Sequence, residues 1–216
     1  MLPSLEILLA LPFAMAAAVV ATRGVSRGQL AWLAAAAPLL GMAILAWLTP
    51  AVLGGQVVGS QHAWLPQIGL AFTLRMDGLA WMFAWLVLAI GALVVMYAHY
   101  YLDAKDSASR FYCYLLLFMG AMLGMVLAGN LLLLVVFWEL TSISSFLLIG
   151  YWSHRKDARD GARMALMITG GGGLALLGGV LLIGRIVGSY ELDTVLAAGD
   201  LIRASPLYPW VLALVL

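Results

Sequence analysis

The sequence predicts an all-α fold: a polytopic bundle of transmembrane helices with six spans, the start of a seventh, and a small hairpin-like outer loop. Apolar residues make up 65% of the chain and charged residues only 10%, so the charged surface of a soluble protein is missing. A bilayer's hydrocarbon core needs roughly 20 apolar residues per helix. The 216 residues therefore hold six or seven spans and no soluble domain.

Uncharged apolar windows locate the six spans. They lie near residues 5–22, 29–48, 78–98, 111–128, 130–150 and 164–184. The first is expected to be a retained span and not a cleaved signal, because Glu6 precedes the apolar stretch and Arg23 and Arg27 follow it. The run from Leu207 to Leu216 has about half the length of a span. We therefore expect residues 1–216 to be the truncated N-terminal part of one transmembrane domain.

Positive charge is unequal on the two sides of these spans, which predicts their orientation. One side carries Arg23, Arg27, Lys105, Arg110, Arg155, Lys156, Arg159 and Arg163, and the other carries Arg75, Arg185 and Arg203. Because cytoplasmic loops hold the excess of Lys and Arg, the loops 23–27, 99–110 and 153–163 are expected to be cytoplasmic. We expect a multi-pass protein of the bacterial inner (plasma) membrane with its N-terminus outside.

The longest connection, residues 49–77, is expected on the outer surface. Pro66 and Gly69 lie three apart between apolar stretches and predict a turn, with Leu70 to Met76 as a strand. A hairpin that caps the membrane surface is favoured, and an irregular linker is the alternative. Residues 191–198 are short and mildly amphipathic, which is typical of a surface helix.

Glycines recur at close spacing in the fourth and sixth spans. Gly120 and Gly124 lie in the fourth, and Gly170 to Gly173 begin a series in the sixth. Small residues one turn apart let membrane helices approach closely, so tight packing is the expected role. Four consecutive glycines also weaken a helix, and the alternative is a sixth helix that bends or opens around Gly170.

Several functional classes have no support in the composition. The net charge of +1 and the absence of a dense basic run provide no surface for nucleic acid. The single Cys113 excludes an internal disulfide framework, and His62, His99 and His154 are not placed as paired deep haem ligands. No cofactor or metal site is predicted, and motifs of soluble-type catalysis are missing.

Glu139 is the one acidic residue predicted to lie deep in a span. It stands nine residues into the stretch from Asn130 to Gly150, roughly 14 Å from its start at 1.5 Å per residue. A carboxylate near the bilayer midplane costs at least ~2.5 kcal/mol and usually serves an ion or proton pathway. Glu139 is therefore the predicted proton-relay residue.

Hydroxyl side chains follow Glu139 on the same span. Thr141, Ser142, Ser144 and Ser145 place polar atoms near the carboxylate, and they are predicted to hold water around it. In the alternative interpretation the hydroxyls bond to their own helix, and a protonated Glu139 only ties helices together. Both lysines lie in loops, so a cationic partner for Glu139 is expected beyond Leu216 or from a different polypeptide of the same complex.

Four segments carry a resemblance to a known family. They are Arg75–Leu79, Arg110–Tyr112, Gly129–Leu132 and Phe137–Trp152, the last reading FWELTSISSFLLIGYW. They resemble the antiporter-like subunits shared by respiratory complex I and Mrp-type (Pha/Mnh) cation/proton antiporters, from about Ala63 to the end. The amino-acid sequence of these segments is most similar to the MrpA-type branch of the antiporters. Complex I relatives tend to carry an Arg and an Asp in the sixth helix, where this chain has Gly170 to Gly173.

The resemblance implies a hetero-oligomeric membrane complex that exchanges Na⁺ or another monovalent cation for protons, without a cofactor in this part of it. It also implies that Glu139 pairs with a lysine on the seventh helix. We therefore expect a transporter component and not an enzyme. Two alternatives remain: a proton-pumping subunit of a complex I-like NADH-quinone oxidoreductase or membrane hydrogenase, and a scaffold in which Glu139 only fastens helices.

Overall fold

The computed structural model describes residues 4–22, 24–103 and 105–216. Arg23, which contributes to the predicted charge asymmetry, lies outside the described residues. In chain order the elements are α1 (Ser4–Ala21), α2 (Arg27–Leu53), β1 (Val58–Leu65), β2 (Leu70–Met76), α3 (Gly78–Tyr101), α4 (Ala108–Leu127), α5 (Leu131–Ile149), α6 (Lys156–Val187), α7 (Leu192–Ala197), α8 (Gly199–Ala204) and α9 (Tyr208–Val215). Helices α1 to α6 are long and apolar enough to cross a membrane.

The six predicted spans are confirmed, but two of the helices extend five or more residues beyond one end of their apolar windows. Helix α2 continues to Leu53, and α6 begins at Lys156, eight residues before the predicted start. The window of α6 begins only after its charged first turns, whereas a helix can start in the headgroup layer, where charged side chains reach water. The window of α2 ends before Thr49 and Pro50, which the helix includes. The expected loop 153–163 is therefore shorter, because its last eight residues form the first turns of α6.

Polar residues fix where the helices begin. Ser26 and Gln29 form a capping box at the start of α2, with each side chain bonded to the other's backbone N–H. Asp77 caps α3 through the Ala80 N–H, at 2.9 Å. Asn130 caps α5 by accepting from two backbone N–H groups of its first turn.

The predicted hairpin is confirmed. Strands β1 and β2 pair antiparallel from Val58 opposite Met76 to Ala63 opposite Ala71, followed by an irregularity before Leu65. A short 3-10 turn begins at Pro66, and Gly69 closes it with a φ of 75° that suits glycine.

The helix ends form two opposite faces. On the hairpin face, His62 Nε2 of β1 lies 3.2 Å from Glu6 Oε1 of α1. On the opposite basic face, Arg27 donates to the Leu102 carbonyl at 2.9 Å and Trp152 Nε1 donates to Asp106 Oδ1 at 3.1 Å. The two faces alternate along the chain as the predicted spans require.

The core lies among α1 to α5, and small residues set its spacing. A Cβ added to Gly120 would come within 2.7 Å of the Phe13 ring of α1, and one added to Gly124 would overlap the Phe137 ring of α5. Tight packing in the fourth helix is thereby confirmed.

Helix α6 packs on α5 and α9 and leaves its other side exposed, including Met164, Met167 and Ile168. It is continuous from Lys156 to Val187, so it does not open at Gly170. A Cβ at Gly170 would meet nothing within 4 Å, whereas Gly179 lies against Leu214 and Val215 of α9. The glycines of this helix therefore serve different purposes.

Candidate functional site

Glu139 lies in the middle of α5. It is eight residues after Leu131 and ten before Ile149, which corresponds to about 12 Å and about 15 Å along the helix axis. Because α5 is a membrane-spanning candidate of 19 residues, this carboxylate lies near mid-membrane, at the depth that the sequence predicts.

The carboxylate of Glu139 is packed against the backbone of α6. A Cβ added to Gly173 would overlap Oε1 of Glu139 and would lie 3.0 Å from Cδ1 of Trp138. Gly173 itself is buried. The missing side chain at Gly173 is therefore what gives the carboxylate its place between the two helices.

Oε1 of Glu139 is buried and has no hydrogen-bond partner among the described residues. A carboxylate oxygen removed from water without a donor costs free energy. A proton, a water molecule or a cationic side chain that reached this oxygen would remove that cost. Within the described part of the chain, Oε1 of Glu139 makes no hydrogen bond to another helix.

Trp138 joins α5 to α6 next to the carboxylate. Its Nε1 donates to the Thr169 carbonyl at 3.5 Å, one turn of α6 before Gly173. Trp138 and Glu139 therefore reach the same face of α6 at two successive turns, and the α5–α6 interface fixes the height of the carboxylate.

The hydroxyls after Glu139 donate to their own helix. Thr141 donates to the Trp138 carbonyl at 2.7 Å, and Ser142 donates to the same carbonyl at 3.2 Å. Ser144 donates to Leu140 at 2.7 Å and Ser145 donates to Ser142 at 3.0 Å. None of the four bonds to Glu139, yet each oxygen keeps lone pairs that can accept from water.

Asn130 is a buried polar residue whose role was not predicted from the sequence. It is 0% exposed. Its Oδ1 accepts from the N–H groups of Leu132 and Leu133, and its Nδ2 donates to the Gly69 carbonyl at 3.1 Å and to Glu191 Oε1 at 2.8 Å. An Asn directly before an apolar helix is a recognisable N-cap signal, but the contact with Glu191 is not readable from the sequence.

Backbone bonds complete this structure, which we call the hairpin-face clasp and define as Gly69, Thr73, Gly129, Asn130, Tyr190 and Glu191. Gly129 donates to the Thr73 carbonyl at 2.7 Å, and Leu131 donates to the Tyr190 carbonyl at 2.8 Å. The clasp ties β2, the start of α5 and the end of the α6–α7 connection together. It therefore holds α5 and α6 in fixed register at this face.

Arg75 adds an ion-pair network beside the clasp. It lies 2.5 Å from Asp77 and 2.8 Å from Asp193. The hydrogen bond from Arg75 to Asp77 raises the pKa of Arg75 above its usual value. The pKa of Asp77 is lowered, first by the Ala80 N–H and then by Arg75. These charges stay paired at the surface and have no contact with Glu139.

Two protein-family models match the chain. One, described as the transmembrane region of NADH:quinone oxidoreductase and Mrp antiporters, matches residues 128–216. The other, described as the N-terminus of chain 5 of NADH-ubiquinone oxidoreductase (complex I), matches residues 64–112.

Two curated relatives are similar along most of this chain. A probable K⁺/H⁺ antiporter A/B subunit of Rhizobium meliloti (strain 1021) is 55% identical over 98% of the chain and 21% of that protein. The Na⁺/H⁺ antiporter A1 subunit of Staphylococcus haemolyticus (strain JCSC1435) is 47% identical over 75% of the chain and 20% of that protein. The chain thus spans about a fifth of the length of these relatives.

Solved structures show the same fold. The Mrp complex from Dietzia sp. DQ12-45-1b superposes with a TM-score of 0.84 and 29% identity, over 97% of this chain and 22% of that one. An archaeal membrane-bound sulfane sulfur reductase superposes with a TM-score of 0.77 over 98% of this chain and 32% of that one, and at 20% identity it shows the fold alone.

Proposed function

Because this chain belongs to the Mrp-type antiporter subunit family, we propose that it forms part of a multisubunit monovalent cation/proton antiporter in which Glu139 relays protons. One observation carries the proposal: a buried carboxylate oxygen at mid-membrane depth that has no partner among the described residues. Charged residues at this depth usually serve an ion or proton pathway.

The proton step is simple in this proposal. A hydronium ion in the water chain gives one proton to Oε1 of Glu139: one of its O–H bonds breaks, an O–H bond forms on the carboxylate, and neutral water is left. The new O–H bond breaks when the proton passes to the next water, which becomes hydronium. The oxygens of Thr141, Ser142 and Ser145 hold the water that leads to the carboxylate, because their own protons are directed to helix carbonyls.

A cationic partner would make this step switchable, since a neighbouring cation favours the charged carboxylate and burial favours the neutral one. Helix α9 runs along α6 and packs Leu214 and Val215 on Gly179. Gly179 is six residues from Gly173 along α6, or about 9 Å. If α9 continued with the rise of an ordinary α-helix, it would reach the depth of Glu139 within two turns. A lysine at that point would be the expected partner.

The transported cation is an alkali ion, Na⁺ or K⁺, because the two relatives above are named for K⁺ and for Na⁺. The partners are the other subunits of the complex and the lipid bilayer. In this proposal the hairpin face is outside and the basic face is cytoplasmic, in a bacterial plasma membrane, because most of the Lys and Arg lie on the basic face.

A redox-driven proton pump is the second candidate function. The family models are described by complex I as well as by Mrp antiporters. Genes for small Mrp subunits next to this one would favour the antiporter, whereas genes for iron–sulfur and flavin proteins would favour the redox complex.

The central test replaces Glu139 by Gln in the full-length protein within its complex. We expect E139Q to abolish Na⁺- or K⁺-dependent proton flux in membrane vesicles, because an amide side chain cannot take up and release a proton as a carboxylate does. E191Q is the matched control, since its side-chain oxygen can still accept from Asn130, and it should keep normal flux. Normal flux in a fully assembled E139Q complex would end the proposal.

A further inference from the structure

A cavity of about 290 Å³ opens on the basic face between α4, α5 and the first turns of α6. We call it the basic-face groove and define it by Arg110, Tyr114, Phe146, Leu147, Arg159 and Arg163, which are among its lining residues. It lies on the opposite face from the hairpin-face clasp, and the proton relay does not use it.

The rim of the groove is positively charged. Arg159 and Arg163 are four residues apart on α6 and share one side of the helix, and Arg110 faces them from the first turn of α4. None of the described residues that line the groove is acidic. Asp160 lies 3.9 Å from Arg163 in an exposed pair, which neutralises little.

Hydrogen bonds hold Arg110 and Arg159 in place, but they use only some of the N–H donors of these side chains. Nη2 of Arg110 donates to the Tyr151 carbonyl at 3.3 Å, and Cζ of Arg110 lies 5.0 Å from the centre of the Tyr151 ring. Arg159 donates from one nitrogen, Nη1, with the shorter bond to the Ser153 carbonyl at 2.9 Å. Each guanidinium has five N–H donors, so several remain available at the rim for an anion.

The wall below the rim is aromatic and apolar. Tyr114 is one turn deeper in α4 than Arg110, and Phe146 and Leu147 lie in the last turn of α5. The groove therefore changes from charged to apolar within one helix turn, about 5 Å, as a lipid does between its headgroup and its acyl chains.

We infer that the basic-face groove binds an anionic phospholipid, with the headgroup phosphate between Arg110, Arg159 and Arg163 and an acyl chain against Phe146 and Leu147. Arginine forks bind phosphate oxygens with charge-assisted, often bidentate hydrogen bonds. Basic pockets between transmembrane helices are known sites for anionic headgroups. A free phosphate would use the rim but not the apolar wall, so the wall favours a lipid. The bound lipid contacts α4, α5 and α6 at once, because residues of all three helices line the groove.

The test uses the full-length protein in its purified, delipidated complex. Dioleoylphosphatidylglycerol is titrated in, and native mass spectrometry counts the lipids bound. The double variant R159Q/R163Q should lose about fivefold in affinity for each arginine removed. R185Q/R203Q removes the same charge from the hairpin face and should bind like the wild type. Dioleoylphosphatidylcholine should bind more weakly to wild type.

Three results would overturn the inference. Equal losses in the two double variants would show a general charge effect. Wild-type binding of phosphatidylcholine as tight as that of phosphatidylglycerol would remove the role of the arginines. Inorganic phosphate that competes at equal concentration would show that the acyl chain adds nothing. R159K/R163K keeps the positive charge and replaces the glutamine variant if that variant fails to assemble. Its affinity for phosphatidylglycerol should fall less than fivefold.

Discussion

The start and the middle of α5 each bury a polar side chain, but only the one at the start has its hydrogen-bond partners. At the start of the helix, Asn130 is fully buried and uses both its oxygen and its nitrogen, each with two partners. Nine residues later, Glu139 has a buried oxygen with no partner among the described residues. Both residues bury a polar group, and the missing partner distinguishes the proposed relay residue from the structural cap.

The energetic consequence follows from an asymmetry of hydrogen bonding. A satisfied buried group contributes modestly to stability, while an unsatisfied one costs about 1–3 kcal/mol or more if charged. Asn130 therefore stabilises the fold, and Glu139 is retained at a cost to it. Variants at Asn130 should therefore change stability, and variants that displace Glu139 should change transport.

Among variants that keep Glu139, Gly173→Ala should have the largest effect on transport. The added Cβ overlaps Oε1 of Glu139 and forces the side chain away from its rotamer, which costs about 0.5–1.5 kcal/mol, or up to about tenfold in rate. Cation-dependent proton flux in vesicles measures the loss.

Gly172→Ala is the matched control, because a Cβ there meets nothing within 4 Å. Alanine favours a helix over glycine by roughly 0.5–1 kcal/mol, so neither variant should fail for lack of helix propensity. Equal flux in the two variants would show that the contact between Gly173 and Glu139 is irrelevant to transport.

The six long helices and the position of Glu139 in the middle of α5 could be predicted from the sequence. Lipid imposes apolar runs of fixed length and excludes charge from them, so composition alone reveals the spans. The turn at Pro66 and Gly69 revealed the hairpin because these residues restrict the backbone in known ways.

The contacts between helices could not be predicted. The sequence suggested that the glycine run either packs tightly or opens, and the structure divides it: Gly173 lies against Glu139 and Gly170 faces open space. Which glycine meets which side chain depends on helix rotation, and an apolar run in lipid does not fix rotation. The same holds for Asn130 and Glu191, which lie 61 residues apart.

Asn130→Ala tests the other side of the comparison. It removes the cap of α5 and leaves the Gly69 carbonyl and Glu191 without their donor, for an expected loss of about 1–3 kcal/mol in stability. Thermal unfolding of the purified complex should show a lower midpoint. Flux per assembled complex should stay near the wild-type value, and a loss as large as that of Gly173→Ala would erase the distinction between clasp and relay.

The pH dependence of Asp77 should give the smallest effect. Its folded-state pKa is lowered, first by the Ala80 N–H and then by Arg75. Its contribution is therefore present above the unfolded-state value of about 3.9 and is lost as pH falls through the lower folded-state value. Because the Asp77 side chain is 35% exposed, we expect less than about 1 kcal/mol.

Comparison with Asp77→Asn measures this contribution. The asparagine can still cap α3 but carries no charge for Arg75 to pair with. The gap in unfolding midpoint between wild type and D77N should be present at pH 6 and should shrink below about pH 4. A gap that is independent of pH would show that neither the cap nor the ion pair depends on the charge of Asp77.

The unequal lengths of α5 and α6 have a consequence for the bilayer itself. With 19 residues, α5 is about 29 Å long and matches a hydrocarbon thickness of about 30 Å without surplus. Helix α6 has 32 residues, about 48 Å, so it can tilt in a thin membrane and become more upright in a thicker one. Hydrophobic mismatch therefore acts first on the shorter helix, and lipid thickness should set the electrical distance of the carboxylate from each bulk phase.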